Sequence, residues 1–242
     1  MGRQPGRALR ECRAVAAQSY NSAVKQLILD LIPEPSPTLA NFVVGENAEA
    51  LNHLNGVVAG DATATDTGVC YLWGPPGSGK SHLARAIAAA TAAPLLERVG
   101  AIVGALPLAV VDDVEKLDAD SMQGLFNLIN LQRISGGLLI ATGASAPRDL
   151  PVRRDLASRL GSGLVFQLKC LSDAQKSEAL RAHARGRGFQ LREDVINYLL
   201  RHSRREMTSL IGVLDALDQY SLESGREITL PLLREIMQPS LV

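Results

Sequence analysis

Residues 74–81 read Gly-Pro-Pro-Gly-Ser-Gly-Lys-Ser, a complete G-x-x-x-x-G-K-[ST] phosphate-binding loop with Gly74, Gly79, Lys80 and Ser81 at its fixed positions. Glycines let such a loop bend until successive backbone N–H groups converge on one phosphate. The intervening Pro75, Pro76, Gly77 and Ser78, with His82 just beyond, complete the candidate nucleotide contact. Lys80 is placed to neutralise the outer phosphates, and the Ser81 hydroxyl to sit on Mg2+. A helix beginning there adds unsatisfied N–H groups and its positive dipole end. The loop predicts binding of ADP or ATP with Mg2+.

A second pair of residues belongs to the same chemistry. Asp112 and Asp113 follow the apolar run Leu108-Ala109-Val110-Val111. The C-terminal edge of a parallel sheet is where α/β proteins bind ligands. Asp112 is the candidate Mg2+ partner, and Asp113 the candidate residue for polarising an attacking water.

These residues need a scaffold, and the pattern around them supplies one. Val69-Cys70-Tyr71-Leu72-Trp73 reads as a buried parallel strand ahead of the loop, and Ser81 to Thr91 as an alanine-rich helix after it. Further strands are expected at Ala93 to Glu97 (weakly), Leu108 to Val111, Gly137 to Thr142 and Leu164 to Lys169. Helical stripes run from Glu46 to Val58 and from Ser121 to Ile134. Alternating strands and helices predict an α/β fold, a parallel sheet with helices on both faces. After Leu171 the pattern is helix only: a capping box at Ser172 and Gln175 opens a helix to about Arg187, and three more follow at Asp194 to His202, Glu206 to Leu222 and Pro231 to Met237. The expected organisation is an α/β nucleotide-binding domain over 38–170 and a small helical lid over 171–242.

Composition narrows the class. The 242 residues suffice for one or two domains, with 46% hydrophobic and 21% charged residues. Basic and acidic side chains balance at 25 each, which argues against a protein whose main work is coating nucleic acid. Cys12, Cys70 and Cys170 form no C-x-x-C pair, so a reducing cytosol and no thiolate metal site are expected. No run approaches the ~20 apolar residues that cross a bilayer. Residues 1–25 carry Arg3, Arg7, Arg10, Arg13 and Lys25 against one acid, and are read as a disordered tail or as sequence upstream of a start at Val24. Gln26-Leu27-Ile28-Leu29-Asp30-Leu31 is a short apolar segment cut off by Pro33, Pro35 and Pro37, so residues 26–37 are read as a docking segment on a stiff tether.

The lid and the acidic pair resemble the AAA+ ATPases. Asp112-Asp113-Val114-Glu115, Leu139-Ile140-Ala141-Thr142-Gly143 with Pro147-Arg148-Asp149-Leu150, Asp155-Leu156-Ala157-Ser158-Arg159-Leu160, and Arg205-Glu206-Met207 resemble the DnaA branch of that class, and within it the DnaA-homologous regulatory inactivators. The resemblance spans about Pro37 to Gln238. It implies that Arg159 is an arginine finger given across a subunit interface, and that Arg205, beside Arg204, is the lid arginine contacting nucleotide. It also implies that Gln26, Leu27, Leu29 and Leu31 dock on the DNA polymerase sliding clamp. Relatives carry a polar residue two positions after the fourth-strand Thr; here that position is Ala144, with Thr142 and Ser145 nearest. Weak or no ATPase of its own follows. Arg153 and Arg154 are read either as further positive charge near the partner face or as solvated surface. With the sequence ending at Val242, no DNA-reading helix-turn-helix domain is expected. The expected role is negative regulation of replication initiation, in which the nucleotide-bound, clamp-docked chain stimulates DnaA to hydrolyse its ATP, in a bacterial cytoplasm and at the nucleoid through the clamp. No membrane or sequence-specific DNA contact is expected, and a homodimer is left open. The alternative is an autonomous AAA+ ATPase acting as helicase loader or remodelling factor.

Overall fold

A computed structural model describes residues 36–61, 68–100, 106–203 and 206–237. They fall into two compact units, Ser36–Gln175 and Lys176 onward.

The first unit is built on four parallel strands: β1 (Val69–Trp73), β2 (Leu108–Val111), β3 (Leu138–Gly143) and β4 (Leu164–Gln167), in the order β2-β3-β1-β4. The central strands are apolar but for the buried Thr142 near the end of β3, because both faces are covered. Cys70, Leu72, Val110, Leu138 and Ile140 pack on one side, beneath α1 (Ala48–Val58) and α2 (Lys80–Thr91). Val69, Tyr71, Val111, Leu139 and Ala141 pack on the other, beneath α3 (Ala119–Ser135) and α4 (Arg154–Leu160). Burial pushes the Cys70 thiol up to about 12, so it acts as a small core hydrophobe.

Register brings the chemistry to one edge. Val111 pairs with Ala141, so Asp112 follows level with Thr142; Trp73 pairs with Gly143 and Gln167, so Gly74 emerges beside them. The expected weak strand at Ala93 to Glu97 is reduced to one parallel bridge, Leu95 to Val110, with Leu96 N–H donating to the Val110 carbonyl at 2.8 Å and Val110 N–H to Pro94 at 3.0 Å. Pro94 has no N–H to extend the ladder. Helix α3 starts two residues before Ser121, because the Asp118 carboxylate accepts the Ser121 N–H at 2.8 Å and so caps the helix at Ala119.

The capping box is present in both directions: Gln175 N–H donates to Ser172 Oγ at 3.2 Å and Ser172 N–H to Gln175 Oε1 at 2.8 Å. It opens α5 (Asp173–Gly186), which runs into the second unit. There α5, α6 (Glu193–His202), α7 (Met207–Ser224) and α8 (Leu230–Met237) enclose Leu180, Val195, Leu199, Leu214, Leu217 and Leu233. His183 and Arg187 reach Asp215 at 2.7 and 3.0 Å, and Arg187 reaches Asp218 at 3.2 Å, tying α5 to α7.

Candidate functional site

The phosphate loop leaves β1 through Gly74, whose N–H donates to Gly143 at 3.3 Å. A side chain there is barred, since a Cβ would stand 2.3 Å from the Leu168 carbonyl oxygen. Gly77 and Gly79 take φ of +79° and +95°, the left-handed region that glycine enters without penalty. Pro75, Pro76 and Gly77 are exposed, whereas Ser78 and Lys80 are buried. Helix α2 begins at Lys80 with Gly79 as its N-cap and no side chain capping it, and Ser81 and His82 lie half-buried in its first turn.

An unpartnered hydroxyl, a buried ammonium and an uncapped helix end suit this loop to phosphate. Ser78 Oγ is buried with no hydrogen-bond partner. Lys80, 8% exposed, sends its ammonium to the Gly74 and Pro75 carbonyls at 2.9 and 3.3 Å. The first-turn N–H groups of α2 add an uncapped positive end. These residues fit the phosphates of a nucleotide. Among the described residues no cluster of three or more His, Cys, Asp or Glu side chains stands ready to hold a metal. Mg2+ at Ser81 and Asp112 would therefore complete its shell with phosphate oxygens and water, its usual habit.

The acids are organised by Thr142, fully buried on β3. Its hydroxyl donates to Asp112 Oδ1 at 2.5 Å and accepts the Asp113 N–H at 2.9 Å. Asp113 takes φ of +52°, a conformation aspartate tolerates better than most side chains. Its Oδ2 lies 2.5 Å from Lys116 Nζ, and that bond together with the added carboxylate charge raises the Lys116 ammonium above its ordinary value. Ala144 is exposed, and the loop carrying it is held from below by Tyr71, whose phenol donates to the Ser145 carbonyl at 2.9 Å. Burial first, then the nearby Glu115 carboxylate, drives the Tyr71 phenol well above its usual range. Gly143 is required here, because a Cβ would meet the Tyr71 oxygen at 2.0 Å.

The segment before α1 also reaches the loop. Phe42 lies against Gly79, where a Cβ would come within 2.6 Å of its ring, and packs 5.6 Å from the His82 ring. His82 Nε2 meets the Thr38 carbonyl at 2.9 Å, so that nitrogen carries the hydrogen. Burial lowers the His82 pKa, opposed by the Thr38 bond and aided by Arg85. Phe42, Tyr71 and Lys116 were missed by the sequence reading. Of these, Lys116 alone carries a local signal, its place three residues after Asp113.

Arg159 lies in the last turn of α4, its guanidinium 5.9 Å from the centre of the Phe126 ring on α3. Among the described residues no carboxylate pairs with it, whereas Arg153 is taken up by Asp155 and Gln123, each at 2.5 Å. Arg154 is exposed. Arg204 and Arg205 lie outside the described residues, as do Gln26, Leu27, Leu29 and Leu31.

Comparison with known proteins adds two family matches. Residues 173–237 match the model of the Hda lid domain, and residues 70–105 that of the ATPase family associated with various cellular activities. Among solved structures, domain III of the Thermotoga maritima replication initiation protein DnaA is similar with a TM-score of 0.64 at 20% identity, covering 84% of this chain and 96% of that one. AMPPCP-bound DnaA from Aquifex aeolicus is similar with a TM-score of 0.61 at 20% identity, over 80% and 68% of the two chains. The Thermotoga maritima RuvB Holliday junction branch migration motor is similar with a TM-score of 0.52 at 16% identity, over 77% and 68%. At these identities the solved structures speak for the fold. The chain has an AAA+ fold like that of DnaA domain III, and its residues 173–237 match the Hda lid domain.

Proposed function

We propose that this chain is a nucleotide-bound regulator of replication initiation that acts on DnaA. The observation that carries the reading is Arg159: a half-buried cation on α4, resting on Phe126, with no acid of the described chain to satisfy it. An unpaired, planar guanidinium suits the charge that develops on a transferring phosphoryl group, and given in trans it serves a neighbour's site. The Hda lid match and the DnaA-like fold support DnaA as that neighbour. The AMPPCP in the Aquifex aeolicus DnaA supports a nucleotide on the phosphate loop here.

In this reading Gly74 to His82 hold ADP or ATP, Ser81 and Asp112 hold Mg2+, and Arg205 contacts the nucleotide from the lid. Gln26, Leu27, Leu29 and Leu31 dock on the DNA sliding clamp, as a short apolar strand with a Gln anchor can. DnaA–ATP then binds the nucleotide-loaded chain, Arg159 completes its site, and DnaA–ADP results. Initiation is thereby restrained.

The test is DnaA–ATP hydrolysis with clamp loaded on DNA. This chain should accelerate it, and Arg159→Ala should remove the acceleration while mant-ADP binding persists. An Arg159→Ala variant that still drives hydrolysis overturns the proposal. A second reading, an autonomous AAA+ loader or remodelling ATPase, is favoured by the ordered Asp112–Thr142–Asp113 arrangement. Strong turnover without DnaA or clamp, lost in Asp113→Asn, would select it.

A further inference from the structure

We propose that Lys116 is a positioning residue that holds Asp113 as a counter-ion and so restrains hydrolysis at the chain's own site. This rests on the nucleotide-binding part of the proposed function and is independent of its DnaA part.

Asp113 is fixed at three points. Its N–H is bound by Thr142 Oγ1 at 2.9 Å, its carbonyl accepts the Lys116 N–H at 2.8 Å, and its Oδ2 takes the Lys116 ammonium at 2.5 Å. Lys116 supplies two of the three. The short 3-10 turn Val114–Lys116 makes this geometric: three residues per turn set positions 113 and 116 on one side. Val114, fully buried, anchors that turn in the core.

Hydrolysis of ATP joins a water oxygen to the γ-phosphorus and breaks the bond to the bridging oxygen. The water's proton must leave, and a carboxylate oxygen is the usual acceptor or orienting partner. Asp112 is already committed through Oδ1 to the Thr142 hydroxyl. Asp113 carries the ammonium on Oδ2, which withdraws negative charge from the oxygen that would receive or orient that proton. The neighbouring loop offers no replacement at the exposed Ala144. Lys116 itself is 74% exposed in its side chain, so the pair is weak enough to be displaced. A contact of this kind slows turnover without abolishing it, and a bound partner with its own acid near Lys116 would release it.

The experiment is a double-mutant cycle on the full chain, with Lys116→Met, Asp113→Asn and the double variant. Two quantities are read: single-turnover hydrolysis of bound ATP, and the Mg2+ concentration at half-maximal mant-ADP binding. Lys116→Met should raise the hydrolysis rate two- to fivefold and lower the Mg2+ midpoint by a similar factor, on the scale of one exposed ion pair. Both effects should vanish in the Asp113→Asn background, and Lys116→Arg should behave as wild type. No change in Lys116→Met, or an effect that persists without Asp113, overturns the proposal. A wild-type chain that bound no mant-ADP would instead fail at the nucleotide reading, and the restraint would fall with it.

Discussion

Thr142 is the residue on which the acidic edge turns. One hydroxyl serves two neighbours, donating to Asp112 and accepting from Asp113, at a position sealed from water. Thr142→Val keeps the shape and removes both bonds, leaving a buried N–H and a carboxylate oxygen unmet; a loss of about 1–3 kcal/mol is expected in denaturant unfolding, with Thr142→Ser recovering most of it. Two imidazoles set a pH dependence at the same scale. Burial lowers the pKa of both His53 and His82 from 6.5, with Asp61 opposing it at His53. The unfolded chain takes up these protons near 6.5 while the folded chain resists, so their contribution to stability is full above 6.5 and is lost as pH falls from there through the lowered folded values. Thermal melts between pH 7 and pH 5 should show the decline, and His82→Gln should make it shallower.

At the scale of elements, the phosphate loop is held by what surrounds it. Gly79 combines a left-handed φ with Phe42 packed against the place a Cβ would occupy. Gly79→Ala therefore meets both backbone strain and a clash, and should cost roughly 1–3 kcal/mol and weaken mant-ADP binding together. Asn47 does similar work at the start of α1, its side chain bonded to both backbone groups of Lys169 at 2.8 and 3.0 Å. The Ser172–Gln175 capping box secures the first turn of α5. Ser172→Ala should lower stability by about 1 kcal/mol, read as a shift in the chemical-denaturation midpoint.

At the scale of the molecule, a nucleotide bound by the folded chain alone raises its stability by mass action. Saturating ADP at a hundred times its Kd should add about 2.7 kcal/mol, and Lys80→Ala should abolish the shift. Trp73, the single tryptophan, ends the strand that leads into the loop, so its fluorescence follows the α/β unit directly. Far-UV dichroism adds the four helices described from Asp173 onward.

Much of this was legible without coordinates. The phosphate loop, the acidic pair and the apolar strands are local signals: glycines, charges and short apolar runs act through their own backbone, and four of the five expected strands form. The capping box was legible for the same reason, because its two residues lie three apart. Helix α4 was not delineated, since seven residues with only Leu156 and Leu160 buried give too little period to read. Nor could the sequence reveal that Thr142 serves Asp112 across thirty positions, that Tyr71 props the Ser145 loop, or that Phe42 closes on Gly79. Those contacts join residues brought together only by strand register and by packing across the sheet. Sequence determined which chemistry this protein carries; the tertiary structure decided which side chains hold it in place, because a long-range contact exists only after the chain has folded around it.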